Sequence, residues 1–464
     1  MSLVRSFRHF LSRTDFMRRT DFLILSRFAL RRTAVGTAMV AAAMMATACG
    51  GLLDVSDPTL VRDSDIANAG DANGRRLQAL AVFSANLSEE AEYPARMSDE
   101  LMVDQPATGD VYDYLDKRDS EGYELANGTS DHVLGILDRA FYETTFALPS
   151  VRAYSPDSLR GDFLGQLYAM RGYAILQAAE DLCPGFPLND VSADSRPVFS
   201  GPLTTDSALS LASATLDSAL KYLQDSARFV TLARVAKGRT LLDQGKYTEA
   251  AAVVGPVATG DVYQTNTNNS IYNDILSVGF NQGSYNMVMG ERQGGNGMPF
   301  ASANDPRVTV KIGGTAVDDS TDTLYIATKY TSTTDPLTLA SGIEARLIEA
   351  EAALHANDPN WLTILNTLRA TAISPVLPAL IDPGTTAARV DLLYSERAFW
   401  LYLTGRRLGD MRRLIKNYGR NAETVFPTGN YPSGGQYGTA TAIPFSVAAQ
   451  QQSNPYITTG CTTR

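Results

Sequence analysis

The sequence predicts a mostly α-helical fold of stacked helix pairs, joined by long loops and with little β structure. Three observations lead there. Apolar residues recur at helical spacing over about 70–91, 131–153, 158–180, 206–225, 228–243, 247–258, 342–356, 359–370 and 386–417. Residues 228–258 carry the small-residue and turn spacing of a close-packed helix pair. From 259 to 340 the texture changes to Asn, Gly, Thr, Ser and Asp, a loop-rich insert with strand-like pieces only at Val308–Ile312 and Leu324–Thr328.

The chain has 464 residues, 44% hydrophobic and 19% charged, with a mean hydropathy of −0.12. That balance suits a globular chain with a large core rather than a polytopic membrane protein or an acidic disordered tail. Residues 1–48 hold eight Arg against Asp15 and Asp21, a local +6, which leaves −16 on residues 49–464, more negative than the whole-chain −10. Such a surface repels phosphate backbones, so nucleic acid is not an expected partner.

In chain order, the first element is an export signal, residues 1–48. After Arg31 and Arg32, the uncharged run Thr33–Ala48 ends in small residues before Cys49, the pattern of a secretory signal and too short for a comfortable transmembrane helix. Ala46-Thr47-Ala48-Cys49 resembles a bacterial lipobox, with Ala46 where Leu is usual. Lipid on Cys49 and a tether over 49–65 are therefore expected. Each buried acyl methylene contributes about 0.8 kcal/mol to anchoring. Residues 66–464 form the body. After Cys49, only Cys183 and Cys461 remain; an oxidising compartment permits a disulfide between them, and two separate thiols are equally compatible with the sequence.

Within 228–258, Gly238, Leu241, Gly245, Tyr247 and Ala250 fall where a tetratricopeptide (TPR) pair places its small residues, its large residue and its turn. Gly238 and Ala250 would let two helices cross closely, with Tyr247 filling the turn. In 342–356, Ile343, Leu347, Ala350 and Leu354 form one apolar stripe. The run Leu392–Leu403 is apolar nearly all round, which assigns Trp400 to the core rather than to a ligand platform, and Trp361 to a helix start or core. Arg406 and Asp410 are spaced to pair on one helical face, with Glu396 and Arg397 free to tie neighbouring helices. The Asp305-Pro306-Arg307 step reads as a turn with an Arg clamp.

Asn304-Asp305-Pro306-Arg307, Arg346-Leu347-Ile348-Glu349-Ala350-Glu351-Ala352, the run Glu396–Arg413, Ile443-Pro444-Phe445 and Asn454-Pro455, in this order, resemble the signature of the SusD/RagB family. The resemblance is good over about 300–460 and extends to the TPR-like middle. It implies a TPR-based outer-membrane lipoprotein, lipid-anchored at the bacterial cell surface, that lids a SusC-like TonB-dependent transporter and captures glycans or other nutrients for it.

Chemistry finds little footing. No G-x-S-x-G, phosphate-loop, C-x-x-C or H-E-x-x-H pattern occurs, and His132 and His355 lie on separate predicted helices. No cofactor, metal or catalytic residue is expected. Ligand capture needs flat apolar faces beside hydrogen-bonding groups. Glu92–Tyr123, read as a loop, offers Tyr93, Asp99, Glu100, Tyr112, Tyr114 and Tyr123, with Tyr112 and Tyr114 on one side of an extended strand. A second loop, Tyr285–Phe300, offers Glu291 and Arg292. The expected ligand is an oligosaccharide or a peptide. Two rival readings are a lipid-anchored TPR scaffold for protein partners and a glycoside hydrolase.

Overall fold

Several helices begin where a polar side chain caps them. In the computed structural model, which describes residues 66–103, 113–126, 132–192, 196–275, 287–315, 323–432 and 434–461, Asn68 Oδ1 accepts from the amides of Gly70 and Asp71 at 2.7 and 3.1 Å. This cap opens α1 (Ala69–Glu90). The export signal, Cys49 and its tether lie outside the described residues. After α1 come α2 (Glu92–Met97), β1 (Leu101–Val103), α3 (Asp113–Asp116), α4 (Ser120–Ala126), α5 (His132–Tyr154) and α6 (Asp157–Asp181). Over its described residues, the expected loop at 92–123 is therefore corrected to short helices and a strand. α1 packs on α5, and α5 on α6.

Next follow β2 (Asp190–Val191), β3 (Pro197–Val198), α7 (Thr205–Tyr222), α8 (Ala227–Asp243) and α9 (Tyr247–Val254). Glycine sets how closely α6 meets α7: a Cβ on Gly172 would stand 2.7 Å from Leu216 Cγ. α8 and α9 are the predicted TPR-like pair. A Cβ on Gly238 would lie 2.4 Å from Val254 Cγ1, and Ala250 is fully buried. Gly245 turns the chain at φ +73°. Tyr247 closes the turn and stacks on His355 with ring centroids 3.8 Å apart.

The loop-rich insert has a stem. β4 (Val262–Gln264) pairs antiparallel with β8 (Thr338–Ser341), so the chain leaves α9 and returns beside it to start α10 (Gly342–His355), where Ser341 Oγ accepts from Glu344 N at 3.1 Å. Inside the insert, β5 (Met287–Met289) pairs with β1. β6 (Val310–Thr315) and β7 (Thr323–Ala327), which overlap the two strand-like pieces, pair antiparallel.

α11 (Asn360–Thr371), α12 (Thr386–Trp400), α13 (Arg407–Tyr418), α14 (Ala422–Val425) and α15 (Val447–Gln451) complete the chain. The single helix expected over 386–417 is two. Leu403 and Gly405 take φ of +51° and +74°, a left-handed bend no helix accommodates. Trp361 is buried in a second hydrophobic cluster with Leu347, Leu365, Leu393 and Tyr394. A Cys183–Cys461 disulfide, with Cα atoms 5.4 Å apart, joins the end of α6 to the carboxy terminus.

Buried ions cross-link these helices. Arg397 is bidentate to Asp410 at 2.8 and 2.7 Å. Arg413 reaches Glu351, Asp243 and Asp410 at 3.0, 2.8 and 2.6 Å, and Arg239 pairs with Glu180. The expected Arg406–Asp410 pair does not form. Arg406 sits at the cap of α13 rather than inside it and instead donates to Gln177 Oε1 and the Leu339 carbonyl at 2.7 and 2.8 Å. The Arg307 clamp forms as expected, to Asp305 and Glu396, both at 2.7 Å.

Because Ala250 touches the neighbouring helix through a bare methyl group, Ala250→Arg inserts a long cation with no room and no partner. The expected cost is on the order of several kcal/mol, read as a clear fall in melting temperature. A melting temperature equal to wild type would contradict the packing.

Candidate ligand-binding site

The two segments predicted to bind ligand meet in space. β1 and β5 align Leu101 with Met289 and Val103 with Met287. Gly290 N donates to the Glu100 carbonyl at 2.9 Å. A Cβ on Gly290 would stand 2.2 Å from the Asp99 carbonyl oxygen, so only glycine permits this approach. The meeting is structural, however, and four of the seven described ligand candidates are buried.

Tyr93 is buried, its ring edge-on to His132 at 6.0 Å. Asp99 is buried and accepts both Arg407 donors at 2.7 and 2.9 Å, and the Met298 amide at 2.8 Å. Glu100 is buried, with Oε1 accepting from Leu403 N at 2.9 Å. Tyr123 is fully buried. Tyr114 lies on α3, half-buried against the core, its ring so close to Gly122 that a Cβ there would meet Cδ1 at 2.2 Å. The expected extended platform of Tyr112 and Tyr114 is thus corrected for Tyr114; Tyr112 lies outside the described residues. Glu291 accepts from the amides of Ala301 and Ser302 at 2.7 and 3.2 Å and holds their turn. Among the described residues of the set, Arg292 alone stands in solvent, its side chain 63% exposed.

Among the described residues, clefts open to solvent at two places. One, of about 450 Å³, lies between the end of α6, the start of α7 and α13. Its charged groups are occupied by the fold: Arg412 donates to the carbonyls of Ala179, Glu180 and Leu182, which cap α6, and Arg413 is held by three carboxylates. Burial pushes Asp243 up to about 7 there.

The second cleft, of about 540 Å³, lies where the β4–β8 stem meets α10, α11 and the end of α12. Trp400 lines it, with Lys329, Glu344, Asp261 and Ser341. Trp400 is half-buried rather than a full core residue, and its Nε1 donates to Glu396 Oε2 at 3.2 Å. Burial lowers Lys329 to about 8. This cleft escapes a reading of the sequence because the surrounding helix is apolar on every side, which hides the one ring left accessible. The i,i+4 spacing of Glu396 and Trp400 is the only local signal.

Burial also raises the Glu100 carboxyl to about 8, so the folded chain holds a proton there that the unfolded chain releases near 4.5. A raised carboxyl contributes stability that is full below the unfolded value and is lost as pH rises through the folded value. Glu92, raised to about 7, acts in the same direction. Glu100→Gln should keep the Leu403 hydrogen bond and flatten the decline of melting temperature between about pH 5 and pH 8. An unchanged slope would contradict a protonated Glu100.

No protein-family model matches the chain, and no curated protein does. Solved structures do. A SusD-like carbohydrate-binding protein from Bacteroides vulgatus aligns with a TM-score of 0.55 at 13% identity, over 75% of this chain and 83% of that one. B. fragilis NanU aligns with a TM-score of 0.61 at 12% identity, over 87% and 99%. Surface glycan-binding protein A from Bacteroides uniformis aligns with a TM-score of 0.60 at 14% identity, over 84% and 99%. The chain has a SusD-like fold.

Proposed function

We propose that this protein is a member of the SusD/RagB family: a lipoprotein anchored through Cys49 to the outer membrane, displayed at the cell surface, that captures a glycan and delivers it to a SusC-like TonB-dependent transporter. The observation that carries this reading is the fold, shared over more than four-fifths of the chain with a protein described as surface glycan-binding. The residues of the ordered signature support it, because Arg307, Glu351, Glu396, Arg397, Asp410 and Arg413 all enter buried ion pairs that hold that fold. The Cys183–Cys461 disulfide fits an exported chain. Among the described residues no helix is long and apolar enough to cross a membrane, and in this reading lipid supplies the attachment. Binding rather than catalysis is proposed, since a glycan is held by stacking and hydrogen bonds without bond breaking.

The rival is a lipid-anchored TPR scaffold facing the periplasm. Protease added to intact cells separates the two. Wild type should be digested, and Cys49→Ser should leave the membrane fraction and escape digestion. A wild-type protein protected in intact cells would contradict surface capture.

A further inference from the structure

We propose that the Trp400 cleft is a binding site for one neutral pyranose unit of a captured glycan. The proposal rests on the capture reading above and gives it a location.

Sugar recognition needs a flat apolar face held still, with donors and acceptors around its edge. The indole is fixed on two sides. Its Nε1 is committed to Glu396, and the Arg307 guanidinium lies over the ring, 5.0 Å from the centroid. Arg307 is itself locked by Asp305 and Glu396. A ring held this way loses little freedom when a ligand stacks on it, which lowers the cost of binding.

Two of the polar groups around the cleft, Lys329 and Asp261, are only partly engaged by the fold. Lys329 Nζ donates to the Tyr402 carbonyl, and among the described residues no carboxylate stands within ion-pairing distance of it. An ammonium has three donors, so Lys329 retains capacity for a ligand oxygen. Glu344, buried where α10 begins, is held by the fold, its Oε1 3.7 and 3.8 Å from Arg239 and Arg406, so the acceptor within a ligand's reach is Asp261. Asp261 is exposed at the rim, with Oδ2 held by Ala258 N at 2.9 Å.

Charge then selects the ligand class. Donor and acceptor charges of both signs face one space, and a pyranose hydroxyl both donates and accepts. An anionic sugar would meet Asp261, and a cationic one would meet Lys329. The volume of about 540 Å³ falls in the range of small-ligand pockets, about 300–1,000 Å³.

The two tryptophans of the chain, Trp361 and Trp400, make the test direct. In a full-length Trp361→Phe protein, emission reports Trp400 alone. The probes are methyl glucoside, methyl galactoside, methyl mannoside and short gluco-, xylo- and manno-oligosaccharides, with glucuronate as the anionic comparison. At least one neutral probe should shift Trp400 emission saturably. By calorimetry, Trp400→Ala should weaken that probe at least tenfold, about 1.4 kcal/mol. Asp261→Asn, at an exposed position that keeps its Ala258 hydrogen bond, should weaken it with an unchanged melting curve, which guards against a Trp400→Ala protein that fails to fold. Calorimetric binding with no change in Trp400 emission, and full affinity in Asp261→Asn, would overturn the cleft while leaving glycan capture intact. A preference for glucuronate would overturn the neutral class. Failure of every saccharide to bind wild type would overturn both proposals.

Discussion

The fold depends on bringing arginine and carboxylate side chains together out of water. Arg397, Arg413, Asp410, Glu351 and Asp243 converge from α8, α10, α12 and α13, and Arg239 with Glu180 extends the network to α6. Such pairs add little net stability over an apolar core, but removing one partner strands a buried charge at a cost of about 3–5 kcal/mol. They therefore fix which helices meet and in what register. Glycines set how near: Gly172 and Gly238 allow contacts that a methyl group would block.

That constraint explains how a long insert is tolerated. Residues 259–340 leave and re-enter the helical stack through the β4–β8 stem, and lengthening a loop closed at its base costs little entropy. Glu344 follows that stem directly and faces Arg239 and Arg406. The same junction opens the Trp400 cleft, so the best-supplied cleft lies where the insert joins the stack.

Helices with clear periodicity were legible in the sequence because their apolar stripes and caps are local properties. The TPR-like pair was legible because Gly238, Gly245 and Ala250 answer a steric need that only small residues meet. Residues 92–103 were not: their polar groups are neutralised by partners far along the chain, Asp99 by Arg407 and Glu100 by the Leu403 amide. Without those partners, a cluster of Tyr, Asp and Glu reads as a binding loop. Trp400 differs in the opposite sense, since an all-round apolar helix suggests burial and conceals a ring left half-buried at the helix end. Arg406 was misplaced because the left-handed bend at Leu403 and Gly405 ends the helix before it.

The central claim, that the charged signature residues are scaffold held together by mutual burial, is tested most directly by a double-mutant cycle on Arg397 and Asp410. Arg397→Met and Asp410→Leu should each destabilise by about 3–5 kcal/mol. Together they should cost about 2 kcal/mol less than the sum, because the double variant leaves neither charge stranded. Additivity to within about 0.5 kcal/mol would show that the two charges do not depend on each other, and would contradict the account.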